Sequence, residues 1–475
     1  MTHGSFAGAT VVVVGSGAAG LSAALAAAEA AGVRRTSCRV VLIERAEKGA
    51  HGGNTRWSPS YMRMAAPDRI APGFEADVRA ASGGRTEEAY VRRLAADAPA
   101  TIAWLERHGV AFHRPVYYLS EGPPRIQPVG GGIAILERLE EAALLAGVAI
   151  RYGVAAVRLV VGCDGAIAGI EVRSGAGRRE IIAARAVVLA CGGFAGNAEM
   201  LAQHLGEGAA SLKLISPGTA FNTGDGIRMA LAAGAQGGGD WSGMHAEPVD
   251  PRSRGPAPVV LVYPYGIVVD RAGRRFFDEG AGLVHETWER LARTIHFATP
   301  GRIAYAILDA RLHGIAGWER AVRSEVPPCR AASIAELAEL LGIPAGALQE
   351  TIASYNAAAT GNPARFDAAR ADGLAAAAGL SPPKSSWCRA LDEPPYLAWP
   401  LVAAIAYTFG GIATNAEAEV LGVGGPIRGL YAAGEITGHF HGTAPNAVAM
   451  LRALVFGRAA GSRAVAVLAG SGTAT

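Results

Sequence analysis

The chain opens on long apolar runs punctuated by glycine. "TVVVVG" is a run of core-type residues closed by a turn residue, an Ala-rich segment follows through Ala31, and "CRVVLIE" is a second apolar run closed by an acid. The pattern predicts strand, helix, strand. Both strands carry continuous apolar runs rather than alternation, which predicts a parallel sheet covered on its two faces. Residues 87–107 and 133–147 carry helical periodicity, and "AIAGIEVRS" and "RAVVLACGG" predict a further pair of strands.

Near residue 245 the pattern changes. "PVDPRSRGPAP" is a Pro-rich entry, "YGIVVDRAGRRFF" predicts a strand with a turn inside it, and mixed helices and loops run to about Pro400. "GLYAAGE" then resumes the strand-to-glycine pattern, and "NAVAMLRALVFGRAAGSRAVAVL" predicts a long C-terminal helix. The expected organisation is α/β. A Rossmann-like domain is formed by residues 1–244 and 401–475, with an α+β capping domain inserted at 245–400.

Composition narrows the partners. Half of the 475 residues are hydrophobic, 18% are charged, and 44 basic against 41 acidic residues give a net charge of +3. No basic stripe with interleaved aromatics is present, so nucleic acid is not an expected partner. Cys38, Cys163, Cys191, Cys329 and Cys388 are odd in number and lack a CxxC pair, so neither a disulfide framework nor a zinc site is indicated, and a cytoplasmic location is expected. The N-terminal apolar stretch is broken by "GSG" after four valines and has no basic leader, which argues against a membrane span or signal sequence.

"GSGAAG" places Gly15, Gly17 and Gly20 between the first strand and the helix, and Glu44 ends the second strand. In this context Gly15 permits the tight turn, Gly17 lets backbone approach a pyrophosphate, and Gly20 lets helix and strand pack closely. Ala18 and Ala19 open the helix whose N-terminus favours the phosphate charge. Glu44 suits the hydroxyls of an adenosine ribose. The motif indicates an adenine dinucleotide; "GGNTRWS", "VVLACGGF" and "GLYAAGE" favour FAD over NAD.

Taken in order, "VVVVGSGAAGLSAA", "GGNTRWS", "VVLACGGFAGN", "NTGDGIRMALAAGA", "GGIATNAEAEVLG" with "GLYAAGEITG", and "VFGRAAG" resemble the fumarate reductase and succinate dehydrogenase flavoprotein superfamily. "YPYGIVVDRAGRRFFDEG" and "GRIAYAILDA" resemble most its tricarballylate dehydrogenase-like branch. The resemblance implies an FAD domain in two chain segments and substrate held between cap and flavin. It assigns FAD contacts to Glu44, Gly52, Gly53, Asn54, Thr55, Asp225 and Glu435. Asn446, Ala447 and Val448, at the start of the last helix, would face the flavin pyrimidine, where a helix N-terminus favours the anionic reduced ring by about 0.3 to 2 kcal/mol. Some family members attach FAD through a histidine; that position is Asn54 here and His51 falls three residues too early, so the FAD is expected to be non-covalent.

The chain also departs from the family. The arginine that follows "HG" and grips a carboxylate is replaced by Ala444, Pro445 and Asn446; the proton-transferring arginine after "RF…E" is replaced within "GAGLVH"; and Tyr407 stands for the histidine before "TMGG". These losses argue against a simple C4-dicarboxylate pocket. The remaining catalytic candidates are His245, Tyr407, His441 and His439, the last standing where fumarate enzymes have glycine. Tyr117, Tyr118, Tyr265, His285, Arg125 and Arg63 are looser candidates, and Arg452, inside the last helix, reads as a structural partner. No ligand set accompanies the two histidines near the C-terminus, so no metal is expected.

The expected activity is an FAD-dependent dehydrogenation that forms a C=C bond α,β to a carboxylate or carbonyl of a small acid or ketone. A base removes the α-proton and flavin N5 takes hydride. The alternatives are reduction of an activated alkene and a non-redox flavoprotein in a larger assembly. The electron acceptor is not legible in the sequence; oxygen, a quinone through a membrane partner and a separate electron-transfer protein all remain open.

Overall fold

The computed structural model describes residues 9–117, 119 and 121–470; Tyr118 lies outside the described residues. Strand β1 (Ala9–Val14), helix α1 (Ala18–Arg34) and strand β2 (Cys38–Ile43) form the expected unit. With β3 (Ala149–Arg151), β4 (Ala186–Leu189), β11 (Glu419–Gly422) and β12 (Gly425–Ala432) they build one six-stranded sheet in the order β11-β12-β4-β1-β2-β3. Its central pairings are parallel, and only β11 runs antiparallel at the edge. Both ends of the chain thus contribute to one sheet.

Alternation along β1 explains why Val11 to Val14 are all apolar. Val11 and Val13 pack on one side against α1, α2 (Glu88–Arg107), α3 (Gly131–Leu145) and α5 (Ala449–Gly470), while Val12 and Val14 pack into a second core on the other face. Helices α1 and α5 touch through backbone: a Cβ built at Gly461 would sit 2.0 Å from the Ala23 carbonyl oxygen. Small residues on both helices are what allow this approach.

A second six-stranded sheet is organised around the long strand β10 (Tyr396–Thr408). It pairs with β5 (Lys213–Leu214), β6 (Met244–Val249), β8 (Ala304–Leu308) and β9 (Cys329–Ala331), and β7 (Ile267–Val269) adds to β8. Helix α4 (Val284–Ala298) lies over β6 and β10. Positions 245 and 400 therefore fall inside strands, β6 and β10, that hydrogen-bond to each other, rather than in linkers.

One local expectation is corrected. "AIAGIEVRS" does not join "RAVVLACGG" in one sheet; it sits in a separate three-stranded antiparallel sheet with residues 154–161 and 179–183. Its one-sided burial marks it as the antiparallel kind, whereas β4 is buried on both faces. "YGIVVDRAGRRFF" has the expected turn inside it: after β7 the Asp270 carboxylate accepts from the amides of Ala272 and Arg274, and Val269 bridges back to Arg275.

Candidate active site

One elongated cavity runs from the β1–α1 turn to the paired strands β6 and β10. Its nucleotide end is lined by Gly15, Ser16, Gly17, Ala18, Ala19, Glu44, Gly52, Gly53, Asn54, Thr55, Asp225 and Glu435, and Asn446 and Ala447 border it from the start of α5. Gly20 lies one turn into α1 and Val448 is buried beneath the α5 start; neither lines the cavity.

The glycines behave as steric requirements. Gly15 has φ +100° and a Cβ there would meet the Ala190 carbonyl oxygen at 2.5 Å, while a Cβ on Gly20 would fall 1.8 Å from the Gly15 carbonyl oxygen. A Cβ on Gly17 would meet nothing closer than 3.5 Å, so its backbone faces open cavity. The motif thus leaves a bare backbone cradle at a helix N-terminus, the arrangement that accepts a pyrophosphate. The residues present therefore fit the dinucleotide.

Side chains hold that cradle in place. Ser16 donates from its amide (2.8 Å) and hydroxyl (2.6 Å) to Glu44, and the Ala46 amide also donates to Glu44. Thr55 accepts the Ala18 amide at 3.1 Å, satisfying one of the orphan donors of the α1 N-terminus. Asn54 donates to the Ala406 carbonyl oxygen and accepts from Ser216 and Thr219, tying the second loop to β10. Asp225 is gripped by Arg45 at 2.6 Å, a cavity-lining partner that the sequence did not single out. His51 points elsewhere, to the Lys48 carbonyl and Glu140, and does not line the cavity.

Glu435 accepts from Asn222 (2.8 Å) and the Thr408 amide (3.1 Å). Burial pushes its carboxyl up to about 7, against the lowering effect of these donors and of Arg452. Arg452 itself is 1% exposed and lines the same cavity. Its guanidinium lies 3.8 Å over the Phe440 ring and donates to the Thr437 carbonyl oxygen at 3.4 Å. Among the described residues no carboxylate lies within ion-pairing distance of it, so the expectation of an ordinary structural partner is too narrow.

At the cap end the sheet register sets the chemistry. His245 on β6 pairs with Tyr407 on β10, and their rings stack with centroids 4.9 Å apart. Glu289, from α4, meets His245 Nδ1 at 2.6 Å, and Glu247, two residues along β6, faces Nε2 at 3.4 Å. Burial alone would depress the imidazole, but hydrogen bonds to the two carboxylates outweigh it and raise His245 to about 9. Burial, reinforced by Glu289, holds the Tyr407 phenol well above its usual value. Both groups therefore carry protons at neutral pH.

The other candidates separate. His439 does not line the cavity: it stacks on Tyr90 at 3.6 Å, its Nε2 meets the Thr414 hydroxyl at 2.8 Å, and burial takes it down to about 3. It is a neutral core aromatic, which corrects its assignment as catalytic. His441 also lies off the cavity, half-buried beside Arg85 and Asp240, with its imidazole lowered by burial; it does not join His245. Tyr265 packs in the cap against Phe366 and Trp387. Arg63 pairs with Asp77 and donates to the Asn446 carbonyl oxygen, and with His285 it lines a neighbouring cavity. Tyr117 packs beside His285, and Arg125 reaches the main cavity.

Glu289 left no trace in the sequence, because its link to His245 spans 44 positions. Glu247 had one: it shares a strand face with His245 at i+2. Among the described residues no His, Cys, Asp and Glu cluster could hold a metal ion, and no helix is long and apolar enough to cross a membrane.

A bare-backbone cradle at a helix N-terminus, Glu44 and a buried His245–Tyr407 pair thus share one cavity. The chain belongs to the family described as "FAD binding domain", matched over residues 10–449, within the fumarate reductase-like flavoproteins. A probable fumarate reductase of Shewanella frigidimarina (strain NCIMB 400) is 30% identical over 96% of this chain and 74% of its own length. The open conformation of a flavocytochrome c3 fumarate reductase superposes with TM-score 0.76 at 26% identity, covering 97% of this chain and 78% of that one. A 3-ketosteroid Δ4-(5α)-dehydrogenase from Rhodococcus jostii RHA1, in complex with 4-androstene-3,17-dione, superposes with TM-score 0.70 at 25% identity over 96% of each chain. This chain is accordingly an FAD-dependent oxidoreductase acting on CH–CH bonds.

Proposed function

We propose that the chain interconverts a C–C and a C=C bond α,β to a carboxylate or carbonyl of a small organic molecule, with His245 and Tyr407 as its reacting side chains. The observation that carries the reading is the stacked His245–Tyr407 pair, 4.9 Å between centroids, in the cavity that also holds the FAD loops. FAD, when bound, accepts or returns the hydride. His245, an imidazolium fixed by Glu289, donates a hydrogen bond to the electron-withdrawing oxygen and stabilises the enolate-like charge on it. Tyr407 transfers the proton at the α-carbon.

The protonation state bears on direction. At neutral pH Tyr407 is a phenol and His245 an imidazolium, so the pair is set to deliver a proton, the requirement of alkene reduction. Dehydrogenation, the direction the sequence puts first, needs Tyr407 ionised and His245 still protonated. It is supported by the likeness to a protein named as a dehydrogenase. The two directions separate by pH: reduction by the pre-reduced enzyme is flat below about 9 and falls above it as His245 loses its proton, whereas dehydrogenation climbs with pH up to that value. Stopped-flow flavin absorbance from pH 6 to 10, with an artificial acceptor in one arm and reduced enzyme in the other, checks both slopes. A flavin that no carboxylic acid or ketone oxidises or bleaches at any pH defeats the reading. FAD is proposed to be non-covalent, since Asn54 is fully engaged and His51 is turned away; flavin remaining on the polypeptide after acid precipitation contradicts this.

A further inference from the structure

A second cavity of about 1060 Å³ lies beside the first. The wall between them is one side chain thick. His245 lines only the first cavity and Glu289 only the second, yet His245 Nδ1 and the Glu289 carboxylate meet at 2.6 Å. Three residues line both cavities: Trp288 from α4, and Pro445 and Asn446 from the segment that leads into α5.

The period of α4 builds one half of this wall. Val284, Leu291 and Ile295 fall on one face of the helix and are buried in the core of the second sheet. His285, Glu289 and Arg293 recur every four residues on another face and line the second cavity. Trp288, four residues after Val284 and one before Glu289, stands where the two faces meet, and its ring centroid lies 6.3 Å from that of His245. The other half of the wall is braced on both sides. The Ala444 amide donates to Glu289 at 3.4 Å, which joins this segment to α4. Arg63 holds it from behind, through its amide to the Ala447 carbonyl oxygen at 2.9 Å and through Nε to the Asn446 carbonyl oxygen at 3.1 Å. Pro445 adds a fixed backbone angle between these anchors. The indole is therefore the largest part of the wall that a substitution can remove without cutting its braces.

This arrangement limits ligand size. A molecule whose reacting carbons lie beside His245 and Tyr407 extends toward α4 only as far as Trp288. The space beyond, about 1060 Å³, matches the upper end of what pockets for drug-sized ligands occupy, about 300 to 1,000 Å³. We propose that Trp288 is a specificity-determining residue: its indole closes the substrate cavity off from the second one and confines the chain to compact acids and ketones. The proposal rests on reading the first cavity as the substrate site, and it deepens that reading by setting the size of the ligand.

The test uses the FAD-loaded full chain and flavin difference spectra of the oxidised enzyme. The probes are benzoate and acetophenone, neither of which can be desaturated at the α,β position, each with its 4-phenyl and 4-(3-phenylpropoxy) derivatives. The phenyl group is about the size of the ring that Trp288→Ala vacates, whereas the longer arm needs the second cavity as well. Wild type is expected to bind at least one parent compound, and its long derivative at least tenfold more weakly. In Trp288→Ala the ratio of the two Kd values should fall at least tenfold, and in Trp288→Phe, which restores a ring, less than threefold. A long derivative that binds wild type as tightly as its parent overturns the proposal, as does an unchanged ratio in Trp288→Ala or relief confined to the phenyl derivative. If Trp288→Ala loses its flavin through misfolding, Trp288→Leu, which keeps apolar bulk over the α4 core, decides the same ratio. Failure of every parent compound to bind defeats the reading of this cavity as the substrate site and the inference with it; parent binding without size dependence defeats the inference alone.

Discussion

The two ends of the cavity are built by different means. The nucleotide end is assembled largely from backbone: bare glycines, a helix N-terminus and loops fixed by hydrogen bonds. The reacting end is assembled from side chains carried by a strand pair and a helix, and there burial and facing carboxylates shift His245 and Tyr407. The cradle tolerates no added atom at Gly15 and Gly20; a side-chain centre tolerates isosteric change in shape but depends on which atoms hold protons. The contrast predicts that damage to one end empties the site and damage to the other leaves it full and inert.

The largest effect is expected at the cradle. Gly20→Val places a Cβ against the Gly15 carbonyl, already 1.8 Å away for an ideal Cβ, so helix α1 cannot seat on β1. The purified protein should be colourless, and flavin absorbance per chain checks it; a yellow variant with normal flavin content breaks the comparison. At the other end His245→Ala should keep its flavin and lose about 10²- to 10⁴-fold in kcat, the range for removing a positioned acid-base group. Glu289→Gln should retain flavin as well and pull the alkaline limb of the pH profile below that of the wild type, because one of the two carboxylates holding the imidazolium is gone.

A smaller effect sharpens the boundary between the ends. Arg452 is a buried cation on the cavity wall, and Arg452→Met should favour oxidised flavin by about a factor of ten, a fall of ~30 mV for a two-electron couple. Spectroelectrochemical titration reads this shift directly; an unchanged potential assigns Arg452 to packing. The smallest effect belongs to His439. Its replacement by Ala removes a stacked ring and should cost about 0.5 to 1.5 kcal/mol of stability in denaturant titrations. The turnover of folded enzyme should not move, and a large loss of kcat restores His439 to the chemistry.

The same division explains what the sequence disclosed. The β1–α1–β2 unit, Gly15, Gly17, Gly20 and Glu44 were legible because the nucleotide end depends on local patterns: apolar runs, a glycine spacing and an acid at a strand end. His245 and Tyr407 were legible as residues, but their pairing is a property of the β6–β10 register and could not be read from spacing. Glu289 reaches the site through tertiary packing alone. His439 misled for a physical reason: a histidine in a functional loop looks alike in sequence whether its ring turns toward the ligand or, as here, into the stack formed with Tyr90 and Phe456. Arg452 was underestimated in the same way, since its place in a helix hides the side of the helix it occupies.

The central claim is that His245 is held as an imidazolium at the reacting end. Nitrogen-detected NMR of histidine-labelled, FAD-loaded protein, with the signal assigned by its loss in His245→Ala, measures this without any substrate. The account predicts that His245 carries both ring protons through neutral pH and titrates near 9. A His245 that is already neutral at pH 7 contradicts it.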